Sequence, residues 1–587
     1  MPKIHVFSSR LRFLYFFMTR EGGSRHFLPD GPAPRGAFRS WRTGFHPGNP
    51  VLPSDRHQPA EPIGAAHRPL FPLGPDGESV RVTQVMSAAL VGVEGHPVEV
   101  EVRISAQLPR IDIVGLPETS VRESAARVRA AIAASGIPFP QSRVTINLAP
   151  ASLPKSGAAL DLAIAVGVLQ ASGALEPDVT DRIAFMGELA LDGRLRPIRG
   201  VLSMALAARA AGCLTIITPR DSAPQAALAQ AIRVIGAPSL QAVLEHLSGA
   251  RPLPTVEIAR RPTPPSRLGC LRDVRGQTTA KRGLLIAAAG GHGVLFIGPP
   301  GAGKTMLAQR LPGLLPPPSD QEVLEATQIH GAASLLDEGD QVIDRRPFRA
   351  PHHSASAAGM LGGGQPLRPG EVSLAHTGVL FLDEFPEFDR RVRESLRPVL
   401  EQRFVDLARA GRRCRLPADF LLVCAANPCP CGWFGFHQQD CRCDPRRIER
   451  YRQRLSGPLL DRIDLHLMVP AQSWNEINSD PRGPSTAQRA ESVLRARTLQ
   501  ITRRQACNAR LQDRALDQHA APDAEALGLL GRAVDQFGLS ARAARRVLRV
   551  ARTIADLDEE RCISAPAVAE ALTYRLERHQ PAPVSSG

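Results

Sequence analysis

The sequence predicts a multidomain α/β protein built around a phosphate-binding loop and closed by a helical C-terminal domain. Three observations predict it. A continuously apolar tetrapeptide, Val294–Ile297, runs straight into a Gly-rich segment that ends in Lys304 and Thr305. A second apolar run, Val379–Leu382, ends in two carboxylates, Asp383 and Glu384. Beyond about residue 471 the pattern is helical only, with Ser485–Leu511 reading as a long basic helix and Asp523–Arg578 as a small bundle.

The chain has 587 residues, more than one hydrophobic core usually organises, so about two to four domains are expected. With 43% apolar and 22% charged residues it has the composition of a globular protein rather than a disordered one. The one apolar stretch near the start, Leu11–Met18, is too short to span a bilayer and lacks a cleavage site after it. No membrane association and a cytoplasmic location are therefore expected. The net charge of +15, carried mostly by arginine, points to a polyanionic partner, nucleic acid being the commonest; a coding bias toward Arg, Ala and Pro is the alternative.

Residues 1–78 are rich in Pro, Gly and Arg without a sustained period and read as a disordered or mis-called N-terminal extension. An internal start near Val82–Met86 would leave every motif intact. Residues 79–250 read as an α/β domain. It has strands over Val98–Ile104, Arg110–Gly115 and Arg143–Asn147, and helices over Ser120–Ser135 and Ala158–Leu169. A Pro-rich linker, 251–269, leads to a second α/β unit over 270–470 with a Cys-rich insert at 429–443. The helical domain follows over 471–580, and 581–587 is a tail.

The phosphate loop consists of Gly298, Pro299, Pro300, Gly301, Ala302, Gly303, Lys304 and Thr305. Its glycines let the backbone curl so that N–H groups converge on phosphate oxygens, and the helix that follows, Met306–Leu311, presents its positive end. Lys304 is expected at the β- and γ-phosphates of ATP, and the Thr305 hydroxyl at Mg²⁺. Asp383 would hold the Mg²⁺ through water, with Glu384 as general base. A third apolar strand, Phe420–Ala426, ends at Asn427, which could orient the attacking water or simply form a turn before Pro428.

This ordered set resembles the AAA+ ATPases, specifically the magnesium-chelatase-like clade, from about Asp273 to the C-terminal bundle. Asp273 to Gln277 resembles the entry motif beside the adenine pocket, and Asn427 corresponds to sensor 1. Arg462, within Ser456–Asp464, resembles the arginine finger, with an ordinary surface ion pair as the alternative; Arg542 opens a helix similar to the sensor 2 helix. A finger supplied in trans implies a ring, a homo-hexamer. The resemblance is closer still to the ComM/YifB family. It is carried by Arg346–Ser356 with its His352–His353 pair, Gly370–Gly378, Asn427–Gly432 and Tyr451–Pro458. It implies a hexameric motor on branched or single-stranded DNA that drives branch migration during natural transformation. A magnesium-chelatase motor subunit or a protein-remodelling ATPase are the alternatives.

Cys429, Cys431, Cys441 and Cys443 form a C-x-C-x9-C-x-C pattern that suits a structural Zn²⁺, with free thiols or a redox pair as alternatives; His437 is expected to be a bystander. The alternating stretches Phe404–Arg409 and Arg412–Leu416 flank Ala410-Gly411 and read as a hairpin. By resemblance this hairpin lines the pore, where Arg409, Arg412 and Arg413 would grip DNA phosphates; a solvated tip is the alternative. The segment Leu153–Ile164 resembles the Lon-protease-like fold of the ribosomal S5 superfamily. Ala158 and Ala159 stand where a nucleophile is required, so a non-catalytic domain is expected there.

Overall fold

A computed structural model describes residues 82–257, 269–336, 342–364, 367–409, 412–436, 439–455, 457–478, 483–520 and 522–576. The extension 1–78 with Leu11–Met18, most of the 251–269 linker, Ala410-Gly411, His437, Ser456 and the 581–587 tail lie outside them. Val82 to Leu576 fall within one unit, Val80–Gly587.

Strict alternation builds the first sheet. In β2 (Glu94–Ser105) Val98, Val100 and Val102 are fully buried while the intervening Glu99, Glu101 and Arg103 face outward. β2 pairs antiparallel with β1 (Val82–Val91) and with β4 (Arg143–Ala149), and β4 pairs parallel with β3 (Arg110–Val114). Beyond β1 come β5 (Ile183–Phe185), β6 (Thr215–Pro219) and β7 (Arg233–Ala237), giving the order β3-β4-β2-β1-β5-β6-β7. The helix expected over Ser120–Ser135 is broken at Glu123 into a single turn and α1 (Ser124–Ala134). Helix α2 (Asp161–Ala171) is apolar on every face between Asp161 and Gln170 and buried up to its last residue, as a helix between sheet and α1 must be. Its Asp161 is a buried charge. It accepts from Arg127 Nε at 2.6 Å, from the Leu189 N–H at 3.2 Å and from the Ser124 hydroxyl.

The second sheet is fully parallel. Its strands β8 (Val294–Ile297), β9 (Phe348–Arg349), β10 (Val379–Leu382), β13 (Leu421–Ala426) and β14 (Leu465–Met468) run in the order β9-β10-β13-β8-β14. β10 and β13 are buried along their whole length, which explains why both are unbroken apolar runs. Between β10 and β13 the chain forms helix α7 (Arg390–Gln402) and an antiparallel hairpin, β11 (Phe404–Arg409) and β12 (Arg412–Pro417). Helix α3 (Val201–Ala210) packs on β1 and β2 of the first sheet, and helices α4 (Thr278–Gly290), α5 (Lys304–Arg310) and α6 (Asp320–Ala333) precede α7 and the hairpin.

The two sheets share packing. Leu90 and Val93, beside the β1–β2 turn, belong to the same apolar cluster as Val405, Cys414 and Leu416 of the hairpin. C-terminally, α8 (Pro445–Gln453) is followed by α9 (Thr486–Arg504), α10 (Ala524–Phe537), α11 (Ala541–Leu557) and α12 (Ala565–Leu576). The basic helix expected to reach Leu511 ends at Arg504 because Gln505 adopts a left-handed φ of 55°. α11 packs across α4, and Arg282 of α4 bridges Asp558 at 2.8 Å and Glu570 at 3.0 Å. The architecture is a parallel α/β core followed by a helical C-terminus. Among the described residues no helix is long and apolar enough to cross a membrane.

Candidate functional site

Parallel strands deliver their C-terminal ends to one edge, and ligand sites of open α/β sheets form there. β8, β13 and β10 are neighbours, so the residues just beyond them converge. The loop after β8 turns through Gly301 and Gly303, whose φ values of +74° and +88° favour glycine. Gly298 is constrained differently: a Cβ would collide with the Val469 carbonyl.

Lys304 is only 9% exposed. Its Nζ donates to the Gly298 carbonyl at 2.7 Å, the Pro299 carbonyl at 2.9 Å and Asn427 Oδ1 at 3.0 Å. Burial pushes its pKa down, while Asp383 and Glu384 pull it back up. The Thr305 hydroxyl donates to Asp383 Oδ2 at 2.8 Å, and Asp383 Oδ1 accepts the Glu384 N–H at 2.9 Å. A hydroxyl and a carboxylate in contact at the mouth of a phosphate loop form a hard-oxygen donor set that fits Mg²⁺. Lys304, Thr305, Asp383 and Asn427 are thus brought together from three strand ends.

Glu384 sits beside them, with a left-handed φ of 49° that turns its side chain to His353 Nδ1 at 3.1 Å. His353 in turn packs against His352, with ring centroids 4.1 Å apart and the planes tilted by 34°. This contact had no signal in the sequence, where the His pair precedes Glu384 by some thirty residues. The arginines of the same motif are structural: Arg346 pairs with Glu322 and Arg349 bidentately with Glu371. On the opposite flank, Gln277, Thr279, Met468, Pro470 and Gln472 line a cavity of about 160 Å³. Gln277 Nε2 donates to the Pro470 carbonyl at 2.7 Å, joining the entry motif to the end of β14.

The two candidate trans-acting or lid arginines lie elsewhere. Arg462, 15% exposed at the side chain, pairs with Glu401 of α7. Arg542 is exposed in the first turn of α11, and among the described residues no hydrogen bond or ion pair joins it to the phosphate loop. One turn later Arg546 reaches Asp464 at 2.9 Å, and Asp464 also accepts from His292 Nδ1 at 2.8 Å. In the hairpin, Arg409 is paired in register with Arg412 and Ala408 with Arg413, whose side chain is exposed.

The four cysteines form one cluster, their Sγ atoms all within 4.8 Å of one another. Individual separations are 3.3 Å (429–431), 3.7 Å (429–441) and 3.6 Å (431–441). A tetrahedron of thiolates around zinc with arms of about 2.3 Å has edges of about 3.8 Å. The cluster fits that figure, and its sulfurs are well beyond the roughly 2.05 Å of a disulfide.

Phosphate loop, acidic strand end, Asn427 and helical C-terminus define the class: a magnesium-chelatase-like AAA+ ATPase. Residues 270–477 match the family described as magnesium chelatase, subunit ChlI. Residues 100–222 match subunit ChlI of Mg-chelatase, and 483–575 match its C-terminal family. The chain is 42% identical to the competence protein ComM of Haemophilus influenzae over 499 residues, 84% of this chain and 97% of that one. It is 44% identical to the uncharacterized protein YifB of Escherichia coli and 43% to that of Salmonella typhimurium, covering 84% of this chain and 96% of each. The chain belongs to the ComM/YifB family.

Proposed function

We propose that this chain is an ATP-hydrolysing motor, working as a homo-hexamer on branched or single-stranded DNA and driving branch migration during natural transformation. The observation that carries the ATPase reading is the convergence of Lys304, Thr305, Asp383 and Asn427 at one sheet edge. The DNA reading is supported by 42% identity to a protein named for competence, by the net charge of +15 and by the exposed arginine at the hairpin.

In this reading the loop N–H groups and Lys304 bind the phosphates, Lys304 exchanging its carbonyl partners for phosphate oxygens. Thr305 and Asp383 would hold Mg²⁺, which supplies charge neutralisation at the β- and γ-oxygens. Glu384 leaves His353 to take the proton of the attacking water, and Asn427 orients that water. Arg462, released from Glu401, serves a neighbouring subunit as the finger, and Arg542 acts from the lid. Arg409, Arg412 and Arg413 grip DNA phosphates in the pore. In the same reading residues 79–250, 270–470 and 471–580 are separate domains, and the protein acts in the cytoplasm.

Zn²⁺ in the cysteine cluster is part of the same reading. So is a non-catalytic, Lon-protease-like N-terminal domain: the buried Lys155 ammonium donates to the Leu148, Pro150 and Gly115 carbonyls, and Ala158 and Ala159 offer no nucleophile. A chelatase motor subunit is the second reading, favoured by the family descriptions over all three regions.

ATP turnover measured with no DNA, with single strands and with a four-way junction separates them. The motor reading expects stimulation by DNA. Turnover indifferent to every DNA form, together with stimulation by a porphyrin substrate system, would favour the chelatase. Lys304→Ala is expected to abolish nucleotide binding, and retained turnover in that variant would overturn the site itself.

A further inference from the structure

The cysteine cluster is built into the wall of the phosphate loop. Asn427, which accepts from Lys304 Nζ at 3.0 Å, stands two residues before Cys429, the fully buried member of the cluster. The turn that follows is closed by the Gly432 N–H on the Cys429 carbonyl at 3.0 Å, and the Phe434 N–H points at Cys429 Sγ at 3.4 Å. Gly432 has a φ of +88°, and a Cβ there would lie 2.5 Å from Cδ and 2.9 Å from Cγ of Pro300, in the middle of the phosphate loop. The same segment is anchored on its far side, where the Arg452 guanidinium lies 4.9 Å from the Phe434 ring centroid. One short stretch therefore touches the nucleotide site twice, through Asn427 and through Gly432, and holds two of the four thiols between those contacts.

We infer that zinc in the four-cysteine cluster and nucleotide in the phosphate loop bind cooperatively, the Cys429–Gly432 turn transmitting the effect. Zinc draws four thiolates onto one tetrahedron and so fixes the turn. That holds Gly432 against Pro300 and Asn427 against Lys304, leaving the loop shaped for phosphate before nucleotide arrives. Without the metal the cysteines take up protons and nothing ties the four sulfurs to one centre, so the turn loosens and nucleotide binding must order it again. A coupling of this kind between adjacent sites is typically worth about tenfold in affinity, and it is reciprocal: nucleotide must tighten zinc by the same factor. This rests on the proposed roles of residues 298–305 and of the cluster, and it goes beyond them in linking the two.

The test uses the full-length protein. Zinc content is measured by metal analysis, and zinc retention against a chromogenic chelator is titrated with and without ADP. Fluorescent ADP affinity is measured on zinc-loaded and chelator-treated protein. Stoichiometric zinc that ADP protects about tenfold, with ADP affinity lower by the same factor after chelation, is the expected result. Reading zinc retention on the loaded protein keeps the test valid even where stripping unfolds the chain. Pro300→Ala, which removes the ring against Gly432, is expected to shrink the coupling while zinc content stays stoichiometric. Zinc bound with an affinity indifferent to ADP would overturn the inference and leave the zinc reading standing. Protein that binds ADP but no zinc would overturn both.

Discussion

Two arginine-rich regions of this molecule look alike in composition and differ in what their charge is doing. In and around the helical C-terminus many of the arginines are spent internally. Arg503 and Arg552 share the buried Asp556, Arg546 holds Asp464 beside His292, Arg549 bonds Asp513 and Arg282 bridges Asp558 and Glu570. At the hairpin, Arg413 is exposed, and Arg415 is exposed while capping the Phe404 ring at 3.9 Å and pairing with Asp406. Net charge is thus a poor map of a nucleic-acid surface. Cations held by carboxylates within the fold are already matched, and only those left over are available to a polyanion.

The largest expected effect lies in the first region. Asp464 is 6% exposed and takes His292 and Arg546, with Arg575 at 4.0 Å. Asp464→Ala leaves these groups facing one another without their anion, and denaturant unfolding should show a loss of about 3–5 kcal/mol. An unchanged midpoint would mean that the buried network contributes nothing. Arg282→Ala, at a half-exposed seam between α4 and the C-terminal helices, should cost less, about 1.5–3 kcal/mol in the same measurement.

The pH dependence sharpens the contrast. Burial alone would raise the Asp464 pKa, but the His292 hydrogen bond and the charges of His292, Arg546 and Arg575 outweigh it and hold it well below the usual carboxylate range. A depressed folded pKa contributes stability above the unfolded value of about 3.9 and loses it as pH falls through the folded one. The stability gap between wild type and Asp464→Asn is therefore expected to be full at neutral pH and to close below about pH 4. A gap that stays constant into acid would refute the assignment.

The smallest effect on stability belongs to the hairpin. Arg413→Ala should leave unfolding within about 0.5 kcal/mol of wild type, because nothing buried depends on it. Its effect should appear in DNA binding, where the slope of log affinity against log salt falls by about one for a lost phosphate contact. A variant that unfolds early but keeps the salt slope would place Arg413 with the structural arginines instead.

What the sequence could disclose followed from locality. Val294–Ile297 and Val379–Leu382 are strands with the bounds their apolar runs imply, since a strand buried on both faces has no polar position to blur its edges. The placement of Asp383 and Glu384 was legible because they follow their strand directly, and that of Lys304 and Thr305 because a glycine loop joins them to β8. The pairing of Glu384 with His353 was not, because it depends on β9 and β10 lying side by side. Neither was the contact of Arg546 with Asp464, which crosses 82 residues of chain. The motif arginines Arg346 and Arg349 show the same limit. Their pattern marked the family, whereas their ion pairs to Glu322 and Glu371 are visible only in three dimensions.

The measurement that tests the central claim most directly follows a fluorescently labelled four-way DNA junction mixed with purified protein and ATP, with Glu384→Gln alongside. Strand exchange by the wild type, absent in the variant although it still binds ATP, is the predicted result. A wild type that hydrolyses ATP without moving the junction, at a rate no DNA alters, would contradict the claim.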